Sequence, residues 1–137
     1  MVHERRDNVL RAVGVLLIDD QLAVRQGLRL LFQLDPQATV IGEAATALEG
    51  LSLAAALRPD VVVMDVEMPG MDGITATDLL MGAQPRCMVI VLTIHGDPNT
   101  RARATAAGAW AFVEKQRPEE LQMALRRAMD SIETATR

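Results

Sequence analysis

Three short apolar runs constrain the fold of this chain more than any other feature of its sequence. They are rich in Val, Ile, Leu and Met without polar alternation, and they are Val13–Ile18, Val61–Met64 and Met88–Leu92. Strands covered on both faces have this pattern, because neither face meets water. Two weaker runs, Val40–Ile41 with Ala44 and Ala109–Val113, are typical of outer strands. The sequence therefore predicts five strands of a parallel sheet.

Helical patterns alternate with these runs. The predicted helices are Gln21–Leu34, Ala47–Leu57, Gly73–Leu80, Asn99–Ala107 and Pro118–Thr134. Alternating strands and helices predict right-handed βα units. Five such units in this length predict an α/β fold, a flavodoxin-like doubly wound five-stranded parallel sheet of order 2-1-3-4-5 with five helices. Strands 1 and 3 are then neighbours at the switch point, and ligands bind beyond the carboxyl ends of the strands.

Length and charge limit the possible functions. The 137 residues fit one domain, which we divide into a polar N-terminal extension (1–12), a folded domain (13–134) and a tail or linker start (135–137). The net charge of -4 argues against direct nucleic-acid binding. No apolar run suits a membrane span or a signal peptide, so we expect a cytoplasmic protein without a membrane partner. Cys87, the single cysteine, is predicted to be a core residue.

Polar side chains stand where the predicted strands end. Asp19 and Asp20 follow the first strand, Asp65 the third, Thr93 the fourth and Lys115 the fifth. Each alone could be structural, as a helix cap, a loop carboxylate or a strand residue. Together they place three carboxylates, a hydroxyl and an amine at one edge of the sheet, so we interpret them as a site.

That combination of groups has a specific chemistry. Three carboxylates repel one another unless a cation neutralises them, and Mg²⁺ prefers one or two carboxylates with waters and a phosphate. Lys115, the only lysine in the chain, adds a point charge that can meet a phosphoryl oxygen. A group between Mg²⁺ and a lysine is most simply a phosphoryl group.

At this point the sequence resembles a known family. The segments that carry the resemblance are Val15–Asp20, Pro59–Gly73, Val91–Thr93 and Gly108–Lys115. They resemble response regulator receiver domains of two-component signalling, most of all those joined to helix-turn-helix output domains. The resemblance extends from about Val13 to Ile132, nearly the whole chain.

The resemblance implies a phosphoryl-accepting function. Asp65 would be the phosphoacceptor and would attack a phosphohistidine of a histidine kinase or a phosphotransfer protein. Lys115 and Thr93 would each hold a phosphoryl oxygen. Such a domain catalyses only its own phosphorylation and dephosphorylation and is not otherwise an enzyme.

The resemblance also implies a Mg²⁺ shell and a switch. Asp20 and Asp65 would bind the ion directly, Glu67 through its backbone carbonyl and Asp19 through water. Phosphorylation would draw Thr93 inward and let the aromatic Phe112 turn into the vacated space. The face formed by the fourth helix, the fifth strand and the fifth helix would then change and control an output domain or a downstream protein, with possible homodimer formation.

Some rim residues depart from the family or vary within it. Ile94 stands where the family usually has Ala or Gly, and we predict that it narrows access to the phosphoryl group. Glu67 and His95 occupy variable positions that could tune the phosphoryl lifetime. Trp110 is unusual, and it could contact a partner or pack against the fourth helix.

Three other classes remain as alternatives. A flavodoxin-like nucleotide binder would need a Gly-rich turn where Asp19 and Asp20 stand. A haloacid-dehalogenase-type phosphatase would need Asp in place of Glu67 and a cap domain. A receiver used only as an interaction module would not need the complete set of site residues.

Overall fold

The computed structural model describes residues 12–135, so the predicted extension lies outside the described residues except for Ala12. The strands are β1 (Val13–Ile18), β2 (Ala38–Ala44), β3 (Val61–Asp65), β4 (Met88–Thr93) and β5 (Ala111–Glu114). The helices are α1 (Leu22–Phe32), α2 (Ala47–Leu57), α3 (Gly73–Ala83), α4 (Pro98–Ala106) and α5 (Pro118–Ala135).

The sheet confirms the predicted topology. Its five strands run in the order β2-β1-β3-β4-β5, and every neighbouring pair is parallel. The first and third strands are neighbours, as the prediction requires. The carboxyl end of β1 therefore lies beside the carboxyl end of β3, at the switch point of the sheet.

Two apolar layers cover the two faces of the sheet. Alternate strand residues face opposite layers, as Leu16 and Leu17 do in β1. One layer contains buried residues of α2, α3 and α4, and the other contains buried residues of α1 and α5. Each fully buried Val, Leu or Ile contributes about 1.5–3 kcal/mol, so β1, β3 and β4 hold the fold together. Cys87 is buried, as predicted.

The third helix ends at Ala83 rather than Leu80, the first ends at Phe32 rather than Leu34, and among the strands the boundaries differ from the predictions at the two outer ones. β5 begins at Ala111 rather than Ala109, and β2 runs without interruption from Ala38 to Ala44. Outer strands are half covered, so their composition is a weaker signal than that of β1, β3 and β4.

Three helices begin with a side-chain cap. Thr46, Asp72 and Asp97 accept backbone N–H groups at the starts of α2, α3 and α4. These bonds satisfy donors that have no partner inside the helix. None of the helices in the described part of the chain is long and apolar enough to cross a membrane.

Candidate functional site

The three predicted carboxylates meet at the switch point. Asp19 directly follows β1, Asp20 is the next residue and Asp65 ends β3. One carboxylate oxygen from each lies within 4.8 Å of the others. Asp19 and Asp65 are buried, whereas Asp20 is exposed. The predicted acidic group therefore exists as one cluster, open to solvent on the Asp20 side.

Lys115 bridges the two buried carboxylates. Its Nζ lies 2.9 Å from Asp19 Oδ2 and 3.1 Å from Asp65 Oδ1. The Lys115 backbone N–H donates to the carbonyl of Thr93 at 2.8 Å, which aligns the lysine with the end of β4. Burial opposes the charged form, but the hydrogen bonds and charges of Asp19 and Asp65 outweigh it and raise the pKa of Lys115 above its ordinary value.

One lysine does not compensate the cluster fully. Burial raises the pKa of Asp65 to about 6, the neighbouring Asp19 adds to the rise, and Lys115 opposes both. Asp19 Oδ2 is buried, and its one close polar partner in the described part of the chain is the Lys115 ammonium, which Asp65 shares. Crowded carboxylates repel one another, and a further cation would reduce that repulsion. Carboxylate oxygens are ligands that Mg²⁺ prefers, so the three side chains fit this ion.

Thr93 is buried at the end of β4, and its hydroxyl faces Glu67. The hydroxyl donates to Glu67 Oε1 at 2.9 Å, and it accepts the backbone N–H of His95 at 2.9 Å. The Glu67 side chain, which the sequence placed only at the rim, thus holds the hydroxyl predicted to bind a phosphoryl oxygen. Contact between these two side chains requires the fold of the β3–α3 loop and was not predicted.

Glycines shape the loop that follows Asp65. Gly70 follows Pro69 and has a positive φ of 81°, a backbone conformation that glycine adopts without strain. Gly73 does more than mark the start of α3, because a Cβ there would lie 1.9 Å from the backbone oxygen of Asp65. The close approach of α3 to the site therefore requires glycine at position 73.

The predicted switch residue lies in β5, an edge strand of the sheet. Phe112 is half-buried in β5, and the Arg101 guanidinium stacks 4.7 Å from the centre of its ring. Trp110 is 37 % exposed beside them and lines the same cavity of about 470 Å³. This geometry does not separate a partner contact from a packing role for Trp110.

Ile94 lies on the loop that follows Thr93. Its side chain is 51 % exposed, and its carbonyl accepts a hydrogen bond from the Gln116 side chain at 3.4 Å. An exposed branched side chain next to Thr93 is consistent with a narrowed entrance, and the predicted effect on rates stays a prediction.

Arg25 is a residue near the site that the sequence did not single out. It lies on α1, and its guanidinium donates to the backbone carbonyl of Asp19 and to the Glu43 carboxylate on β2. The only local signal was its position six residues after Asp19, which does not predict the contact.

Fold and site together define a class: a doubly wound α/β domain with an acidic cluster and a lysine at its switch point. The family model described as response regulator receiver domain matches residues 15–126. The chain belongs to the response regulator receiver domain family.

Proteins that are named as transcriptional regulators are similar to this chain in sequence. The transcriptional regulatory proteins YhcZ and LiaR of Bacillus subtilis (strain 168) are 42% and 40% identical to it. The matches cover 78% and 85% of this chain but 50% and 56% of those proteins, so the chain spans about half their length. A two-component response regulator of the LuxR family from an Aurantimonas species is 33% identical, with a TM-score of 0.80 over 90% of this chain and 86% of that one.

Proposed function

We propose that Asp65 accepts a phosphoryl group from a phosphohistidine of a histidine kinase or a phosphotransfer protein. The observation that supports it most is the pair of buried carboxylates, Asp19 and Asp65, that share the single ammonium of Lys115. A protein retains such a costly arrangement where a charged ligand completes it.

Asp65, Lys115 and Thr93 each have a separate role in the proposed phosphoryl transfer. A carboxylate oxygen of Asp65 attacks phosphorus, the P–N bond breaks, and the histidine nitrogen leaves with the electron pair and takes up a proton. Lys115 is close enough to Asp65 to meet a phosphoryl oxygen once the phosphate forms. The Thr93 hydroxyl, now on Glu67, would turn to another phosphoryl oxygen.

The donor set fits Mg²⁺. Asp20 and Asp65 would hold the ion directly, the Glu67 backbone carbonyl would add a third protein ligand, and Asp19 would act through water. When bound, Mg²⁺ supplies positive charge that offsets the carboxylates and the phosphoryl oxygens.

The names of two relatives support a proposal for the output. Both curated relatives reported above are named transcriptional regulators and extend beyond the part that this chain matches. We therefore propose that phosphorylation changes the face formed by α4, β5 and α5, through Thr93 and Phe112. That face would control an output domain or a downstream partner in transcription, and homodimer formation would be one consequence.

The test is a thermal melt with Mg²⁺ and beryllofluoride, a phosphoryl mimic, on wild type and on Asp65→Asn. A ligand that binds only the folded state adds about 2.7 kcal/mol of stability at a hundredfold excess over its dissociation constant. We expect a rise in the melting temperature for wild type and none for Asp65→Asn.

No rise for wild type, with Mg²⁺ binding measured separately, would contradict the proposal. The domain would then act as an interaction module that does not depend on phosphorylation. Sustained release of phosphate from an added phosphomonoester would instead favour a phosphatase.

A further inference from the structure

Arg25 makes two hydrogen bonds beside the acidic cluster and is nearly buried. Its side chain is 14% exposed. Nη1 donates to the backbone carbonyl of Asp19 at 2.6 Å, and Nε donates to Glu43 Oε1 at 2.9 Å. The planar guanidinium has a fixed fork of donors, so fixing one bond also directs the other.

Glu43 reaches Arg25 because of an irregularity in the edge strand. The register between β1 and β2 shifts between Val15 and Leu16, so that Val15 pairs with Val40 but Leu16 pairs with Gly42. A one-residue shift moves every later side chain to the opposite face. Glu43 is therefore paired with Leu17 and points to the layer that contains α1.

The Glu43 carboxylate is fixed in its charged form. Its second oxygen accepts a close hydrogen bond from Arg29 Nε, while the first is held by Arg25. The hydrogen bond from Arg29 lowers the pKa of Glu43 most, and the bond and charge of Arg25 lower it further against a smaller effect of burial. The carboxylate thus orients Arg25 from the side opposite to Asp19.

Besides the hydrogen bond from its backbone N–H to the Ala44 carbonyl, Asp19 is held at three points. Its Oδ1 accepts the backbone N–H of Gln21 at 2.9 Å, and its Oδ2 lies beside Lys115. Arg25 holds the third point, the carbonyl of the peptide that joins Asp19 to Asp20. The orientation of that peptide sets the direction in which both side chains leave the backbone.

We infer that Arg25, oriented by Glu43, is a positioning residue for the cation site: it fixes the Asp19–Asp20 peptide so that both carboxylates face Asp65. The inference rests on the proposed function, in which these carboxylates hold Mg²⁺. Groups that orient metal ligands from behind change metal affinity by about 10–100-fold when they are removed.

A direct effect of charge would have the opposite sign. A guanidinium near the cluster repels a second cation, so its removal would tighten Mg²⁺ binding if charge alone mattered. Substitutions that preserve charge but change hydrogen-bond geometry separate the two effects.

The experiment uses three such variants. Arg25→Lys keeps the positive charge but removes the planar guanidinium with its two hydrogen bonds. Glu43→Asp keeps the negative charge but shortens the side chain, so that the carboxylate no longer reaches Arg25. Arg126→Lys is the matched control, because Arg126 pairs with Asp35 at 2.6 Å and lies outside the network of Arg25, Glu43 and Asp19. For each we would measure the Mg²⁺ dissociation constant by calorimetry and the melting temperature without Mg²⁺.

We expect Arg25→Lys and Glu43→Asp to weaken Mg²⁺ binding about tenfold, and the double variant to weaken it no more than the worse single one, since both act through one contact. Arg126→Lys should change it by less than about twofold, as for an exposed ion pair. If Arg25→Lys does not fold, the Mg²⁺ dissociation constant of Glu43→Asp tests the inference by itself.

Unchanged Mg²⁺ affinity in the folded variants would overturn the inference, including the case in which only the melting temperature falls. Wild-type protein that binds no Mg²⁺ would overturn the proposed function itself. The two failures are therefore distinguishable.

Discussion

The sheet has an amino edge, where its strands begin, and a carboxyl edge, where they end, and the two differ in how polar side chains are paired. At the amino edge, Asp60 Oδ2 accepts the Gly14 N–H at 2.8 Å, and the buried Gln84 donates to the Ala54 carbonyl at 2.8 Å. At the carboxyl edge, Asp19 and Asp65 crowd around one lysine. The Lys115 ammonium lies 2.9 Å from Asp19 Oδ2 and 3.1 Å from Asp65 Oδ1, so the two buried carboxylates share one cation.

The difference separates stability from function within one sheet. Satisfied groups at the amino edge tie strands and helices together and require nothing further. The raised pKa of Asp65 indicates that the crowded carboxylates at the carboxyl edge destabilise the metal-free fold, and under the proposed function a cation would relieve their repulsion. Five predictions test or sharpen this contrast, and they run from the largest expected effect to the smallest.

The largest effect is the pH dependence at Asp65. Its pKa is raised from 3.8 to about 6 in the folded protein, so the folded state binds more protons than the unfolded chain between these values. The free energy of unfolding of the metal-free protein should therefore fall as pH rises from about 4 to 6, by about 2–3 kcal/mol.

Asp65→Asn is the control for that titration. The variant should lose this decline and be more stable than wild type at pH 7.5 without Mg²⁺, by about 2 kcal/mol. Urea unfolding at several pH values measures both. An identical decline in the variant would assign the effect to other groups.

At the amino edge, Asp60→Ala should do the reverse. Loss of the acceptor leaves the Gly14 N–H unpaired and should lower the free energy of unfolding by about 1–2 kcal/mol. The loss should be the same with and without Mg²⁺, and beryllofluoride binding should persist. A Mg²⁺-dependent loss would break the contrast between the edges.

Ile94→Ala should open the entrance to the site. We expect phosphorylation by a small phosphoryl donor and hydrolysis of the phosphoryl group to rise by about tenfold or less, which corresponds to about 1.4 kcal/mol or less. Single-turnover rates measure both steps. Unchanged rates would mean that Ile94 does not limit access.

Glu67→Ala should release the Thr93 hydroxyl. In wild type this hydroxyl must leave the Glu67 carboxylate before it can bind a phosphoryl oxygen, at a cost of about 1 kcal/mol. We expect beryllofluoride to bind a few-fold more tightly, by roughly that free energy. Weaker binding would show that Glu67 supports the ligand rather than competing with it.

Arg101→Gln should have the smallest effect. Its guanidinium stacks on Phe112 at an exposed site, a contact worth about 0.5–1 kcal/mol. Loss of the contact should make it easier for Phe112 to turn inward. The fluorescence of Trp110, the only tryptophan, should then change at lower beryllofluoride concentrations in the variant than in wild type. Arg103→Gln, on the same helix, is the control, and an identical response of both variants would contradict a role for the stacking.

Much of this protein could be predicted from its sequence. Fully covered strands have apolar runs that are visible locally, and the turns between them follow from residues such as Gly70. Once the strand order is known, the end of each strand has a known place. The convergence of Asp19, Asp65 and Lys115 therefore followed from the order of elements.

Only the tertiary structure decided how those residues are held. The link from Glu43 to Arg25 depends on a register shift in an edge strand, and the bond from Thr93 to Glu67 depends on the path of a loop. Gly73 is needed because a helix starts within contact of the Asp65 carbonyl. Burial patterns repeat along the chain and can be recognised there, whereas one shift of register or one close approach is set by atoms distant in sequence.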